Sequence, residues 1–159
     1  KKKGLELTFE KDPAMAEAFI YCDRTRIQEI MDNFVSNAVK YTYKGFVKIR
    51  IEKRANMILT IVEDSGLGIS KEDLSHLGKK FFRAKQYSEG HGANVIRPGG
   101  TGLGLYVAFA LIKLMDGEFE IISELEKGSK FTFGMPGFSG QPLKQEERKV
   151  QDYQKAVSN

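Results

Sequence analysis

Cysteine is almost missing from this chain: Cys22 is the only one among 159 residues. An internal disulfide is therefore impossible, no group of Cys and His has metal-ligand spacing, and a reducing compartment is the expected setting. Long apolar runs are missing too. No stretch approaches the roughly 18 consecutive apolar residues of a membrane helix, and the opening Lys1-Lys2-Lys3 is neither an initiator Met nor a signal-peptide start. The chain is expected to be a cytosolic fragment of something longer, with no direct membrane contact of its own. Concentrated charge of one sign is also lacking. The formal net charge is +4, but Lys and Arg are scattered among Asp and Glu, and the one basic-aromatic cluster is Lys79-Lys80-Phe81-Phe82-Arg83. A solvated surface accounts for that excess, so no nucleic-acid partner is expected.

What is present describes one domain. The length suits a single core, since domains commonly run to about 100–150 residues, and 41% hydrophobic with 29% charged residues is an ordinary globular composition. The organising stretch is Asp23 to Thr42. Its apolar residues Ile27, Ile30, Met31, Phe34, Val35 and Ala38 recur at three- and four-residue intervals, which at about 100° per residue makes one buried stripe of a helix. Glu29, Asn33 and Asn37, with Lys40 beside them, form a polar row at the edge of that stripe. Asn is a mediocre helix former, so two in one row suggest a pocket between core and solvent.

Around this helix the chain reads as strands. Leu5, Leu7 and Phe9 alternate with polar residues as a half-buried strand, and Phe19 to Cys22 forms a short second one. Val47 to Glu52 and Met57 to Val62 make two neighbouring strands joined by a turn over Glu52 to Asn56. Ser70 to Asp73 resembles a capping box opening a short helix to about Leu77. A lid-like loop follows from Arg83 to Gly100. The second long helix spans Gly102 to Met115, with Gly117 as its C-terminal cap. A closing hairpin, Glu118 to Ser123 and Ser129 to Met135, is stopped by Pro136, and a polar tail over 137–159 reads as a linker. The expected fold is α+β: a two-layer α/β sandwich, with a mixed, mostly antiparallel sheet and helices packed on one face. His76 is expected to be a surface helix residue and His91 a residue of the lid, while Phe81 and Phe82 are expected to anchor its base in the core.

Two glycine clusters carry chemistry. Asp64-Ser65-Gly66-Leu67-Gly68 follows the central strand, where a carboxylate and two glycines can hold a base-like amine above closely passing backbone. Gly99 to Leu105 opens the second long helix, where glycines let phosphate approach backbone N–H groups at the positive helix end. A Rossmann fingerprint would need a strand directly before these glycines, and the P-loop pattern is absent.

Taken in order, Asn33-x3-Asn37-x2-Lys40-Tyr41, Asp64-x-Gly66-x-Gly68, Phe81-Phe82-Arg83 and Gly100-Thr101-Gly102-Leu103-Gly104-Leu105 resemble the catalytic and ATP-binding domain of sensor histidine kinases. That domain has the Bergerat ATP-binding fold, and the likeness runs from about Leu5 to Pro136, so residues 1–136 are the expected domain. The resemblance implies ATP and Mg2+ as cofactors. Asn37 would coordinate Mg2+, Asn33 would line the phosphate site, Lys40 would neutralise phosphate charge and Tyr41 would pack near the nucleotide. Asp64 would accept the adenine amino hydrogen above Gly66 and Gly68. Gly100, Thr101, Gly102, Leu103, Gly104 and Leu105 would surround the phosphates, and Arg83 would reach the γ-phosphate. The pattern departs from the family's Phe-x-Pro-Phe-x-Arg, with Gly78 and Lys80 in place of the first Phe and the Pro.

Gyrase-like members of the same fold carry Glu where Asn33 stands. An amide cannot take a proton from water, so transfer to a protein is favoured over hydrolysis. The implied acceptor is a histidine on a separate dimerisation hairpin of the same protein, a context that neither His76 nor His91 has. The fragment alone should therefore bind ATP without phosphorylating itself. The implied partners are that hairpin and the receiver domain of a response regulator, within a full-length homodimer. A serine kinase of the anti-sigma-factor type and a non-catalytic ATP-gated module are the alternatives in the same fold.

Overall fold

The computed structural model describes residues 4–15, 18–84 and 101–140. In chain order the elements are β1 (Glu6–Lys11), a 3-10 turn (Pro13–Met15), β2 (Phe19–Ile20), α1 (Arg24–Tyr41), β3 (Phe46–Arg54), β4 (Met57–Asp64), α2 (Lys71–Leu74), α3 (Gly104–Leu114), β5 (Glu118–Glu124) and β6 (Gly128–Phe138). The sheet has six strands in the order β1-β3-β4-β6-β2, with β5 also paired to β6. Among the described residues only β1 and β3 run parallel. Parallel neighbours need a long crossover, and α1 lies within the connection between them.

Helix α1 starts where Asp23 caps it: Asp23 Oδ1 accepts the N–H groups of Thr25 at 2.8 Å and Arg26 at 3.3 Å. Its inward stripe is the predicted one, with Ile30, Phe34 and Ala38 buried and Ile27, Met31 and Val35 packed at the margin. Phe34 is the centre of the core. Its ring centroid lies 6.3 Å from that of Phe109 on α3, 5.4 Å from Phe131 and 5.7 Å from Phe133 on β6. Deleting such a ring costs about 3–5 kcal/mol. The core is thus a layer between the sheet and one face of helices, as the mostly antiparallel two-layer reading expects.

Several local expectations are corrected. Leu7 and Phe9 alternate as predicted but are 64% and 63% exposed, because α1 packs over β3 and β4 and leaves edge strand β1 uncovered. The β3–β4 turn is confined to Ala55 and Asn56. Ser70 does cap α2, its hydroxyl accepting the Asp73 N–H at 3.1 Å, but the helix stops at Leu74. At the end of α3 the left-handed residue is Asp116, with φ 55°, one place before the predicted glycine. Gly117 N–H then donates to Ile112 O at 2.9 Å and Asp116 N–H to Lys113 O at 3.2 Å, which is a Schellman closure. Pro136 does not stop β6. It pairs with Met57, and the strand continues to Phe138, which pairs with Phe19 of β2. Of the predicted lid and tail, residues 85–100 and 141–159 lie outside the described residues.

Candidate functional site

A cleft of about 840 Å³, counted out to its open mouth, lies where the end of α1, the end of β4 and the start of α3 meet. Helix α1 contributes Asn37, Lys40 and Tyr41; the end of β4 and the turn after it contribute Asp64 and Gly68; Arg83, Gly102, Gly104 and Leu105 complete the rim. The floor is apolar, built from Ala38, Ile69, Leu77, Phe82, Ala84 and Phe131. Asn37, Lys40 and Tyr41 reach one cavity because residues three and four apart lie on one helix face. The Lys40 ammonium sits 4.9 Å from the Tyr41 ring centroid, at the helix end where a cation also suits the macrodipole.

Asp64 is the one buried carboxylate in this wall, 6% exposed. Its Oδ1 accepts the Gly66 N–H at 2.8 Å and faces the Thr42 hydroxyl at 3.4 Å. Burial pushes the carboxyl above the ordinary Asp value. The Gly66 N–H, the Thr42 hydroxyl and the Ser129 backbone oppose that rise, and the Glu63 charge adds to it. A carboxylate has more lone pairs than these donors use, so it can accept a further hydrogen bond from an amine arriving from the cleft.

The glycines have separate reasons. A Cβ on Gly66 would lie 2.6 Å from Tyr41 O and 2.7 Å from Asp64 Oδ1, so only glycine brings its N–H under the carboxylate. Gly68 has φ +64° and abuts the Glu124 carbonyl. Gly102 has φ +72°, and a Cβ there would lie 2.8 Å from the backbone of Phe81 and of Phe82. Gly104 is packed against Asn33 Oδ1. Leu103 caps α3 without any side-chain hydrogen bond to the first turn, so the leading N–H groups of α3 have no side-chain acceptor from their cap.

The structure therefore brings Asn37, Lys40, Tyr41, Asp64, Gly68, Arg83, Gly102, Gly104 and Leu105 to one cavity. Four predicted residues lie beside it. Asn33 lines a separate open depression with Glu29, Asp32 and Ser36, its Nδ2 donating to Glu29 O at 2.8 Å and its Oδ1 packed against Gly104 of the cleft. Gly66 lies beneath Asp64. Thr101 and Leu103 precede α3, where the Leu103 N–H donates to the Thr101 hydroxyl at 3.3 Å. Gly100 lies outside the described residues, as does His91.

Phe81 is not a core anchor: it is 69% exposed and holds φ 63°. Phe82 does line the cleft, and its ring stacks on His76 with centroids 5.6 Å apart. His76 Nδ1 in turn lies 2.9 Å from Ser75 Oγ and 3.0 Å from Glu72 O. Sequence reasoning missed Thr42, fully buried at 0% exposure, and Ser129, which lines the cleft beside Asp64. A threonine ending a helix reads as a cap, and a serine early in a strand reads as nothing more, so no local signal marked either. Among the described residues no group of three or more His, Cys, Asp or Glu could hold a metal ion, and no helix is long and apolar enough to cross a membrane.

Fold and cleft together define a two-layer sandwich whose polar helix edge, strand-end carboxylate and glycine-rich helix start surround one small-molecule cavity. The chain belongs to the histidine kinase-, DNA gyrase B-, and HSP90-like ATPase family, whose model matches residues 22–138. It is similar to the aerobic respiration control sensor protein ArcB of Escherichia coli K12, with 36% identity over 132 residues, covering 82% of this chain and 16% of ArcB. The chain thus spans about a sixth of the length of that relative. Among solved structures, full-length ShkA in complex with AMPPNP is similar with a TM-score of 0.72 and 25% identity, over 88% of this chain and 27% of ShkA. The catalytic domain of the histidine kinase ThkA is similar with a TM-score of 0.68 and 27% identity, over 85% of this chain and 82% of that one.

Proposed function

We propose that this chain is the ATP-binding catalytic domain of a sensor histidine kinase, which transfers the γ-phosphoryl group of ATP to a histidine on a separate dimerisation hairpin of the same protein. The observation that carries the reading is the single cleft shared by Asn37, Asp64, Gly102 and Gly104. Its base end is Asp64 above an apolar floor. The carboxylate accepts the adenine amino hydrogen, Gly66 and Gly68 let backbone pass close by, and Tyr41 packs near the nucleotide. The phosphate end is the start of α3. There Thr101, Gly102, Leu103, Gly104 and Leu105 offer backbone N–H groups to the phosphates and Lys40 neutralises their charge; Gly100, given the same role from the sequence, lies outside the described residues.

The donor set fits Mg2+ only as a metal carried on the phosphates. Asn37 supplies one neutral amide oxygen, and no carboxylate cage exists among the described residues, which suits an ion that keeps waters and phosphate oxygens as its main ligands. When bound, Mg2+ neutralises phosphate charge. Arg83, exposed at the cleft mouth, reaches the γ-phosphate as it transfers. Asn33 stands at the edge of the phosphate site, and as an amide it cannot activate water, so the group passes to the histidine and then to an aspartate on the receiver domain of a response regulator. The full-length protein acts as a homodimer in the cytoplasm, with a catalytic domain that runs to Phe138, where β6 ends, two residues past the boundary expected at Pro136, and the remainder of the chain as a linker.

The test supplies labelled ATP and Mg2+ to this chain together with the separately made helical hairpin of the same gene, and then locates the label. Acid-labile phosphohistidine on the hairpin is the expected product. Acid-stable phosphoserine on a separate protein would support a serine kinase instead, and tight ATP binding with no transfer would leave only an ATP-gated contact module.

A further inference from the structure

We infer that Thr42 is a positioning residue for base recognition: its hydroxyl fixes the Asp64 carboxylate in the orientation that accepts the exocyclic amine of adenine. The inference rests on the proposed contact between Asp64 and that amine. Three elements address the carboxylate. Gly66 N–H from the turn after β4 reaches Oδ1 at 2.8 Å, the Ser129 backbone supports it from β6, and Thr42 Oγ1 lies 3.4 Å from Oδ1 at the end of α1. Two of these donors are backbone groups that no substitution alters. Thr42 is the only side chain among them, so it is the adjustable one.

A plain capping role does not account for the hydroxyl. The single Thr42 hydroxyl hydrogen has two acceptors in reach, Ala38 O at 2.7 Å and Asp64 Oδ1 at 3.4 Å. Because the Thr42 backbone N–H already donates to that Ala38 carbonyl at 3.1 Å, the hydroxyl hydrogen can turn to the carboxylate when the base docks. The helix end would therefore keep a hydrogen bond without the hydroxyl, whereas Asp64 would lose its only side-chain donor among the described residues. Thr42 is also completely buried, so no water replaces the lost group at low cost. The methyl of Thr42 cannot serve this purpose, and the distinction between hydroxyl and methyl gives the experiment its discrimination.

The experiment measures calorimetric affinities of the Mg2+ complexes of ATP and of inosine triphosphate, whose base carries a carbonyl where adenine has its amine. The proteins are the parent chain, Thr42→Val, Thr42→Ala and Thr42→Ser. The parent is expected to prefer ATP. Thr42→Val should reduce ATP affinity about tenfold, the size of one lost hydrogen bond to a charged group, with inosine triphosphate affinity held within about twofold. Thr42→Ser should restore the preference, and Thr42→Ala, which removes bulk as well, repeats the test should the Val variant fold poorly. Equal losses for both nucleotides would assign Thr42 to the helix cap alone and overturn the inference, as would a Ser variant that behaves like Val. A parent without any preference would instead defeat the Asp64 base contact itself.

Discussion

Asn33 Oδ1 occupies the space into which a side chain on Gly104 would project, and this contact sets how closely α1 and α3 approach beside the cleft. A methyl group at residue 104 must push the amide aside or part the helices. Gly104→Ala is therefore expected to cost about 1 kcal/mol, the low end for overpacking, because the obstructing atom is the end of a side chain, and to weaken nucleotide binding, since the same residue lines the cavity. Adding Asn33→Ala should return part of that stability. Denaturant midpoints of the two single variants and the double variant check this, and strictly additive changes would show that the two side chains are independent.

Asn37 is half-buried on the cleft wall, away from the Ile30, Phe34 and Ala38 stripe that holds the core. Asn37→Ala is expected to abolish the Mg2+-dependent part of ATP binding while unfolding stays cooperative. Calorimetry with and without Mg2+ reads the first, and a denaturant titration reads the second. Unchanged affinity in the presence of Mg2+ would remove Asn37 as the metal ligand.

Asp64 should make stability and binding depend on pH in opposite senses. Its folded carboxyl is raised above the ordinary value mainly by burial. The stability it contributes is present below the ordinary carboxylate range and is lost as pH rises through the raised value. Asp64→Asn is accordingly expected to melt above the parent at neutral pH, with the difference vanishing in acid, while its preference for adenine over guanine nucleotides relaxes. In the parent, ATP affinity should fall as pH drops through the raised value. Melting curves across pH and a nucleotide competition assay test both halves. A variant that melts lower than the parent at neutral pH would contradict the burial penalty.

Phe81 holds a left-handed backbone with its ring largely in solvent. Glycine adopts that conformation without steric cost, and strain of this kind is of order 1 kcal/mol or more for other residues. Phe81→Gly is expected to leave stability equal or slightly higher, whereas Phe82→Ala should lower it through loss of the ring stacked on His76. Thermal melts of the two variants distinguish them, and a large loss for Phe81→Gly would mean that its ring is buried by something.

The α1 stripe and the alternating row of β3 were readable because each is periodic and meets a layer that buries it, and β4 because its run is nearly all apolar, as its burial along almost its whole length bears out. β1 has the same alternation, yet Leu7 and Phe9 are exposed, since a periodic pattern does not say whether a helix lies overhead. The glycine positions were readable as a motif, but their individual reasons were not. Gly104 answers to Asn33, Gly68 to the Glu124 carbonyl and Gly78 to the Phe109 ring, all of them neighbours brought near only by the fold. Thr42 escaped notice for the same cause. Its partner Asp64 lies 22 positions along the chain, and adjacency across the α1–β4 seam leaves no trace in either neighbourhood. Asn37, Lys40 and Asp64 were identified by their order relative to the glycines, a property of the whole chain.

Gly102 touches the backbone of Phe81 and Phe82, so the two stems flanking residues 84–101 are clasped together at their roots. Closing a longer or shorter span between fixed ends changes the entropy slowly, by about 0.6 kcal/mol for each doubling of length. The intervening stretch can therefore be exchanged, trimmed or extended during divergence without dislodging Arg83 on one side or the first turn of α3 on the other. The cleft groups on the two stems, Arg83 and Gly102, are thereby held in register whatever the length of chain between them.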